Sequence, residues 1–356
     1  MKKLFGLITI CSVLAMPVWA AKPVNVTNPA NHSLPATDIH LVKKTLLPLE
    51  VGEVKDKPTS PPGQDKDKNN GPSEEAATGI LGDSASGERY AIIIGICDYP
   101  GEKNDICKSD GDSLNMYKAL TTLYGYNPDN IYLFKDYGGT YFEEDTTDDI
   151  PTITARKPTR ENILNAISEL KNKATSSEDE IVFFFSGHGA DGIAQDEDNE
   201  KRDEGIVVHN NDSTCIDYIW DGELKTAFTD FATTRIAFVF DTCLAGGMDD
   251  LADTGRVISM ATSENQVAYV YTKEGDDVDG DGQPDGEGVF THYFVNEGML
   301  KGLANIHDYD QDNTLYEPEQ VTTEEAFDYA KEKIENSSYK RQKPVISDNF
   351  TNDLLL

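Results

Sequence analysis

The chain has 356 residues, with 31 Lys and Arg against 64 Asp and Glu and a formal net charge of −33 at neutral pH. So acidic a surface repels phosphates and anionic lipids, which excludes nucleic acid and membrane surfaces as expected partners. With 38% hydrophobic residues the chain is long enough to bury one full-sized core, and its composition leaves the oligomeric state open.

Residues 1–20 read as a secretory signal. Lys2 and Lys3 give a positive start, Leu4 to Leu14 an apolar centre, and Val18-Trp19-Ala20 a small-residue cleavage site. The apolar stretch is too short to span a bilayer comfortably. Cleavage after Ala20 removes two lysines and no acid, taking the formal charge from −33 to −35. The expected product is secreted or periplasmic, soluble, and without membrane contact after signal cleavage. Residues 21–87 contain one short apolar patch, Ile39 to Leu49, and no aromatic residue from Val51 to Gly87. Their Pro, Gly, Ser, Asp and Lys content predicts a disordered linker, and an exported enzyme would use the same stretch as a pro-segment. Four cysteines survive export: Cys97, Cys107, Cys215 and Cys243. Cys97 with Cys107 is the simplest disulfide, with pairings to Cys215 left open. No Cys-x-x-Cys pair points to structural zinc.

From Arg89 onward apolar runs alternate with helical patterns. Strands are expected at 89–96, 130–135, 180–186, 235–241 and 256–261, and helices at 112–123, 160–173, 221–230 and 289–303. Thr159 is a plausible N-cap for the second helix. Alternation of this kind predicts an α/β fold, a mostly parallel sheet covered by helices on both faces. The acidic stretches 141–149 and 191–204 read as solvated loops at the rim of the site.

Two of the strands end in reactive side chains. Glu180 to Ser186 stops at Gly187-His188-Gly189, and Arg235 to Phe240 stops at Asp241-Thr242-Cys243. Open α/β sheets place their chemistry at the carboxyl ends of strands. A thiol needs a base to become a thiolate near neutral pH, and an imidazole on a neighbouring strand end supplies one. This makes Cys243 the candidate nucleophile and His188 its acid/base. The amides of Gly189 and Cys243 are placed to form an oxyanion hole.

Ser186-Gly187-His188-Gly189 and Asp241-Thr242-Cys243-Leu244-Ala245-Gly246 resemble the histidine and cysteine motifs of the caspase-like cysteine peptidases, the clan of caspases, metacaspases and legumains. The 55-residue separation of His188 and Cys243 fits that group. Arg89 to Ile96 resembles the opening strand, Asp110 to Leu120 the first helix, Val257 to Ser263 the strand after the nucleophile, and Gly288 to Phe294 the helix that follows. The resemblance covers roughly 87–346 and implies a three-layer α/β/α sandwich. It also implies an exported member of bacterial type that hydrolyses peptide bonds in protein or peptide substrates through a Cys-His dyad. The Gln-Ala-Cys-Arg-Gly signature of true caspases is absent, so cleavage after aspartate is not implied. Metacaspases keep an acidic residue in a pocket for basic side chains, and Asp241 stands where that residue is expected. The alternatives are a legumain-like preference for Asn, or a purely structural Asp at a strand end.

Two acidic clusters suggest calcium, and no organic cofactor is expected. Asp308, Asp310 and Asp312 begin a run with Glu319 at its twelfth position, the spacing of an EF-hand loop. Asn313 replaces the usual Gly, and a longer loop closed by Glu325 is a second register, since Thr322 and Glu325 form a capping box. Asp277, Asp279, Asp281 and Asp285 alternate in the manner of extracellular calcium loops. The plain alternative for each cluster is a solvated acidic turn. The expected organisation is a signal at 1–20, a linker or pro-segment at 21–87, a peptidase domain at 88–303, and a calcium loop and helix at 304–356 packed on it. The competing class is a non-catalytic calcium-binding interaction protein on the same fold.

Overall fold

The computed structural model describes residues 36–46, 75–100, 109–136, 139–141, 153–194, 201–271 and 287–356. The expected signal segment, Cys107, the acidic stretch beyond Tyr141, and the loop carrying Asp277, Asp279, Asp281 and Asp285 lie outside the described residues.

Two short strands, β1 (Thr37–Val42) and β2 (Thr45–Leu46), come first. The central fold begins with β3 (Arg89–Gly95), α1 (Ser109–Thr122) and β4 (Ile131–Lys135). A small antiparallel pair, β5 (Gly139–Tyr141) and β6 (Ile153–Ala155), precedes α2 (Arg160–Lys173). Next come β7 (Glu180–Ser186), β8 (Gly189–Ile193), β9 (Asp203–His209), β10 (Ile216–Trp220) and α3 (Asp221–Ala227). They are followed by β11 (Ile236–Asp241), β12 (Arg256–Met260), β13 (Tyr269–Tyr271) and β14 (Glu287–Gly288). The last elements are α4 (Val289–Thr291), which runs on as a π-helix over His292–Leu300, then α5 (Thr323–Glu335) and β15 (Val345–Asp348).

The main sheet has the order β15-β12-β11-β7-β3-β4. All its pairings are parallel except that of β15 with β12, which is antiparallel. Successive strand residues point to opposite faces, so each apolar run feeds two cores. Val182 and Phe184 pack with α1, the π-helix and α5 on one face. Ile181, Phe183 and Phe185 pack with α2 and the end of α3 on the other. The mixed α/β sandwich expected from the alternation is therefore present. Local signals agree, since the Thr159 side chain accepts from the Asn162 amide and Thr322 and Glu325 form the capping box of α5.

Three expectations are corrected. Residues 37–46, assigned to the linker apart from its apolar patch, form β1 and β2. Only Ile39 and Leu41 alternate there, too short a pattern to stand alone, and the strand order comes from pairing with β8 and β13 far along the chain. The stretch 191–204 is not wholly a solvated loop. Its ends belong to β8 and β9, where Asp203 and Glu204 are buried. Finally, Cys215 is in a disulfide whose partner lies outside the described residues, whereas Cys97 keeps its thiol. Cys97 is buried just past β3, where its amide donates to the Asp136 carboxylate. Among the described residues no helix is long and apolar enough to cross a membrane.

One buried acid makes this fold sensitive to pH. Glu324, in the first turn of α5, is fully buried. Its Oε2 accepts from the Leu354 amide at 2.8 Å, while Oε1 has no hydrogen-bond partner among the described residues. Burial, reinforced by Asp348 and Asp353, raises its pKa from 4.5 to about 8. A carboxyl raised in the folded state stabilises fully below its unfolded value, and that contribution is lost as pH climbs through 8. Glu324→Gln should therefore melt above the parent at pH 9 and close to it at pH 5. The gain is about 2–4 °C per 1 kcal/mol recovered, read by thermal unfolding across that range.

Candidate active site

The site forms where two parallel strands stop at the same level. β7 and β11 pair in register from Ile181↔Ile236 to Ser186↔Asp241, and the Gly187 amide donates to the Asp241 carbonyl at 3.3 Å. Two residues beyond this last pair stand His188 and Cys243. The two turns are in backbone contact, because a Cβ on Gly189 would collide with the Cys243 carbonyl oxygen. Glycine is required there for close approach. Gly189 is also the first residue of β8 and lies opposite Ile206 of β9 and Val42 of β1.

Leu244, directly after Cys243, has φ 61°, the left-handed region that a branched side chain rarely adopts. It is held there by its amide, which donates to the Gln266 carbonyl at 2.8 Å, and by the Ala245 amide, which donates to Thr262 Oγ1 at 3.1 Å. This sharp turn projects Cys243 from the strand end. The Ala268 amide donates to Cys243 Sγ at 3.2 Å. Cys243 is only 1% exposed, and burial pushes its thiol up to about 12. The Ala268 hydrogen bond and the Lys44 charge work against that rise, and Asp241 adds to it.

His188 is fully buried and stacked on Tyr99, with ring centroids 4.7 Å apart. The His188 amide donates to the Tyr99 hydroxyl oxygen at 2.9 Å, and that hydroxyl donates to the Val207 carbonyl at 3.2 Å. The Lys44 amide donates to His188 Nδ1 at 3.2 Å. In the neutral ring this makes Nδ1 the acceptor and leaves the proton on Nε2.

Beside His188 and Cys243 lies an acidic pocket, fully buried, made by Asp241, Asp112 and Ser186. Asp241 Oδ2 accepts from the Thr291 amide at 2.9 Å and from the Thr291 hydroxyl at 2.8 Å. The Gly288 amide donates to Asp112 at 3.0 Å, and the Ser186 hydroxyl donates to Asp112 Oδ2 at 2.5 Å. The Lys44 ammonium fills this pocket, 2.9 Å from Asp241 Oδ1 and 3.8 Å from Asp112 Oδ2, and it donates to Ser186 Oγ at 2.8 Å. A Cβ on Gly288 would collide with Asp241, so the pocket has its room because that position is glycine. Burial holds Asp112 well above the usual carboxylate range; Lys44 opposes this and Asp241 adds to it.

Of the residues named from sequence, His188, Gly189, Cys243 and Asp241 are brought together. Asp112, Ser186 as a pocket residue, Thr291, Tyr99 and Lys44 were missed. The signal for Asp112 was present, as an aspartate pair opening the helix after β3, and Ser186 adjoins the histidine motif. Lys44 carried none, because it sits in a stretch without a strand-length pattern.

The second cluster is separate. Carboxylate oxygens of Asp308, Asp310 and Asp312 lie within 4.8 Å of one another, a donor set of hard oxygens that suits calcium. Glu319 is exposed and not part of that group. Glu325 is engaged elsewhere, accepting from the amides of Ile306 and His307, each at 3.0 Å. Glu317, not anticipated, is a further carboxylate on which the cluster's charge acts. Its pKa is raised first by desolvation and then by Asp312, Asp310, Glu319 and Asp308, and its Oε2 has no hydrogen-bond partner among the described residues.

Residues 89–252, which hold both turns, match the family model for the metacaspase, peptidase C14 domain. Metacaspase-1 of Kluyveromyces lactis is 32% identical over 173 residues, 48% of this chain and 36% of the relative. Metacaspase-1 of Saccharomyces cerevisiae (strain S288c) is 31% identical over 173 residues, with the same coverage of 48% and 36%. Metacaspase-4 of Arabidopsis thaliana is 30% identical over 167 residues, 46% of this chain and 35% of the relative. The chain thus spans just over a third of the length of the curated relatives it matches. Through this metacaspase-type region, residues 89–252, the chain is similar to the caspase-like cysteine peptidases.

Proposed function

We propose that the protein is an exported cysteine endopeptidase that cleaves after Arg or Lys, with Cys243 as nucleophile and His188 as acid/base. The observation that carries the basic preference is the burial of an ammonium group between Asp241, Asp112 and Ser186 beside the dyad. A cation enters such a pocket with charge-assisted hydrogen bonds, whereas an uncharged side chain leaves buried carboxylate oxygens unmatched. In the reaction His188 takes the Cys243 proton, the thiolate attacks the carbonyl after the basic residue, and the Gly189 and Cys243 amides hold the oxyanion. His188 then protonates the leaving amine, and water hydrolyses the acyl-enzyme. Export rests on the signal at 1–20, and the Cys215 disulfide supports an oxidising destination. The non-catalytic alternative gains no support from the comparisons.

Replacing Cys243 or His188 by Ala should abolish hydrolysis of Arg and Lys peptides, by roughly 10³-fold or more, while circular dichroism stays unchanged. The parent for this comparison should be both the unaltered chain and Lys44→Ala, which vacates the pocket. Substantial turnover without Cys243 would remove it as nucleophile.

Asp241→Asn tests the pocket. It should lower kcat/KM on Arg and Lys peptides by about 10–100-fold, the loss of a hydrogen bond to a charged group, with a smaller effect of Asp112→Asn. Faster cleavage of peptides ending in Asn or Asp than of those ending in Arg or Lys would overturn the assignment.

Calcium is assigned a supporting role, held at the described loop by Asp308, Asp310 and Asp312. A bound cation would relieve the repulsion among these carboxylates and order the loop; its affinity is expected near ~10⁻⁴ to 10⁻³ M, as in extracellular modules. Calcium should raise the melting temperature of the parent and not of Asp310→Ala. An equal response of both proteins would exclude this loop.

A further inference from the structure

We propose that residues 37–46 are an intramolecular strap that holds the enzyme latent, with Lys44 acting as a plug for the pocket that selects the substrate's basic residue. The inference rests on the reading of Asp241, Asp112 and Ser186 as that pocket.

Four observations converge on it. A lysine is almost never fully buried unless paired. Lys44 is buried because its ammonium meets Asp241 and Ser186. Second, the Lys44 amide donates to His188 Nδ1. An imidazole that accepts at Nδ1 carries its proton on Nε2, so the neutral ring keeps no lone pair with which to deprotonate Cys243. The same residue therefore fills the pocket and occupies the base.

Third, the strap covers two strand edges that flank the dyad. Val42, Leu41 and His40 pair antiparallel with Gly189, Ala190 and Asp191 of β8. Thr45 and Leu46 pair parallel with Tyr269 and Val270 of β13. An extended peptide commonly binds by adding a strand to such edges. With both edges taken, a substrate has no backbone to pair with near Cys243. Fourth, the strap is otherwise lightly held. No residue of β1 is buried, and its flank is tied by ion pairs at the surface, where Arg202 bridges Asp38 at 2.8 Å and Asp191 at 2.5 Å. Its apolar contribution to the core is limited to the half-buried Ile39 and Leu41, which pack on the edge of one core. The strap and a basic substrate compete for one set of partners.

The test uses the full chain, Lys44→Ala, and Val42→Pro, which breaks strand pairing opposite Gly189 without touching the pocket. Two readouts are taken. Site-resolved alkylation of Cys243 by iodoacetamide at pH 8 needs no turnover, and hydrolysis of an Arg peptide reports activity. Both rates scale with the fraction of chains whose strap is open. Both variants should alkylate Cys243 at least about tenfold faster than the parent and cleave the Arg peptide faster. A synthetic peptide of residues 36–46 should inhibit Lys44→Ala competitively, and the same peptide with Lys44→Ala should not. Equal alkylation and equal hydrolysis in all three proteins overturn the strap while leaving the basic preference standing. Faster alkylation without cleavage of Arg or Lys peptides supports the strap and removes the proposed specificity.

Discussion

The site depends on one constraint, the in-register parallel pairing of β7 with β11. Six residue pairs run from Ile181↔Ile236 to Ser186↔Asp241. Because both strands end on the same pair, the turns beyond them meet, and Gly189 packs against the Cys243 carbonyl. A slip of one residue would exchange the faces of every side chain on the strand, moving Phe183 and Phe185 out of one core and Val182 and Phe184 out of the other. The packing that stabilises the sheet thereby sets the distance between the turns.

Buried charge lies at both ends of this sheet and serves different ends. At the amino ends of β3, β7 and β11, Glu180 is paired with Arg235 and Arg89 and accepts from the Tyr126 hydroxyl at 2.8 Å. The side chains paired with Glu180 there all belong to the main fold, so the cluster is structural. At the carboxyl ends, Asp241 and Asp112 belong to the main fold but their cation comes from residue 44. Two buried carboxylates without a cation are costly, by several kcal/mol if both stay ionised. The raised pKa of Asp112 is the same cost seen as an affinity for protons. A pocket so built stays occupied by something positive, whether proton, strap or ligand.

The sheet was legible in the sequence because its strands are buried on both faces and so read as unbroken apolar runs. The strand forecast at 180–186 coincides with β7, and the helix forecast at 160–173 with α2. The meeting of the two turns that carry His188 and Cys243 was legible for the same reason, since each run stops at glycine or a reactive side chain. What stayed hidden depends on partners distant in sequence. β1 and β2 take their order from β8 and β13, and β15 takes its order from β12. The aspartate pair that opens α1 was visible, but Asp112 reaches the pocket because α1 packs beside β3 and β7, which depends on distant contacts. Glu317 stood unremarked beside the aspartates because the expected ligand spacing passes over it.

Occlusion and electrostatics act together on the thiol. Cys243 is suppressed first by burial, which pushes its pKa up to about 12, so that roughly 10⁻⁵ of it is ionised at pH 7. Against this burial, the Lys44 ammonium at the end of the strap pulls the thiol pKa down. Loss of the Lys44 ammonium weakens that pull and also removes the anchor that seats the strap; opening of the strap then admits water and withdraws the Lys44 amide from His188 Nδ1. The second change is larger in sign and scope, because a base that can accept a proton changes the pathway and not merely the equilibrium. A substrate with a basic side chain restores the cation beside Asp241 as it displaces the strap. On this reading the ligand that opens the site also re-creates the field in which the thiolate forms, and neutral peptides lack both effects.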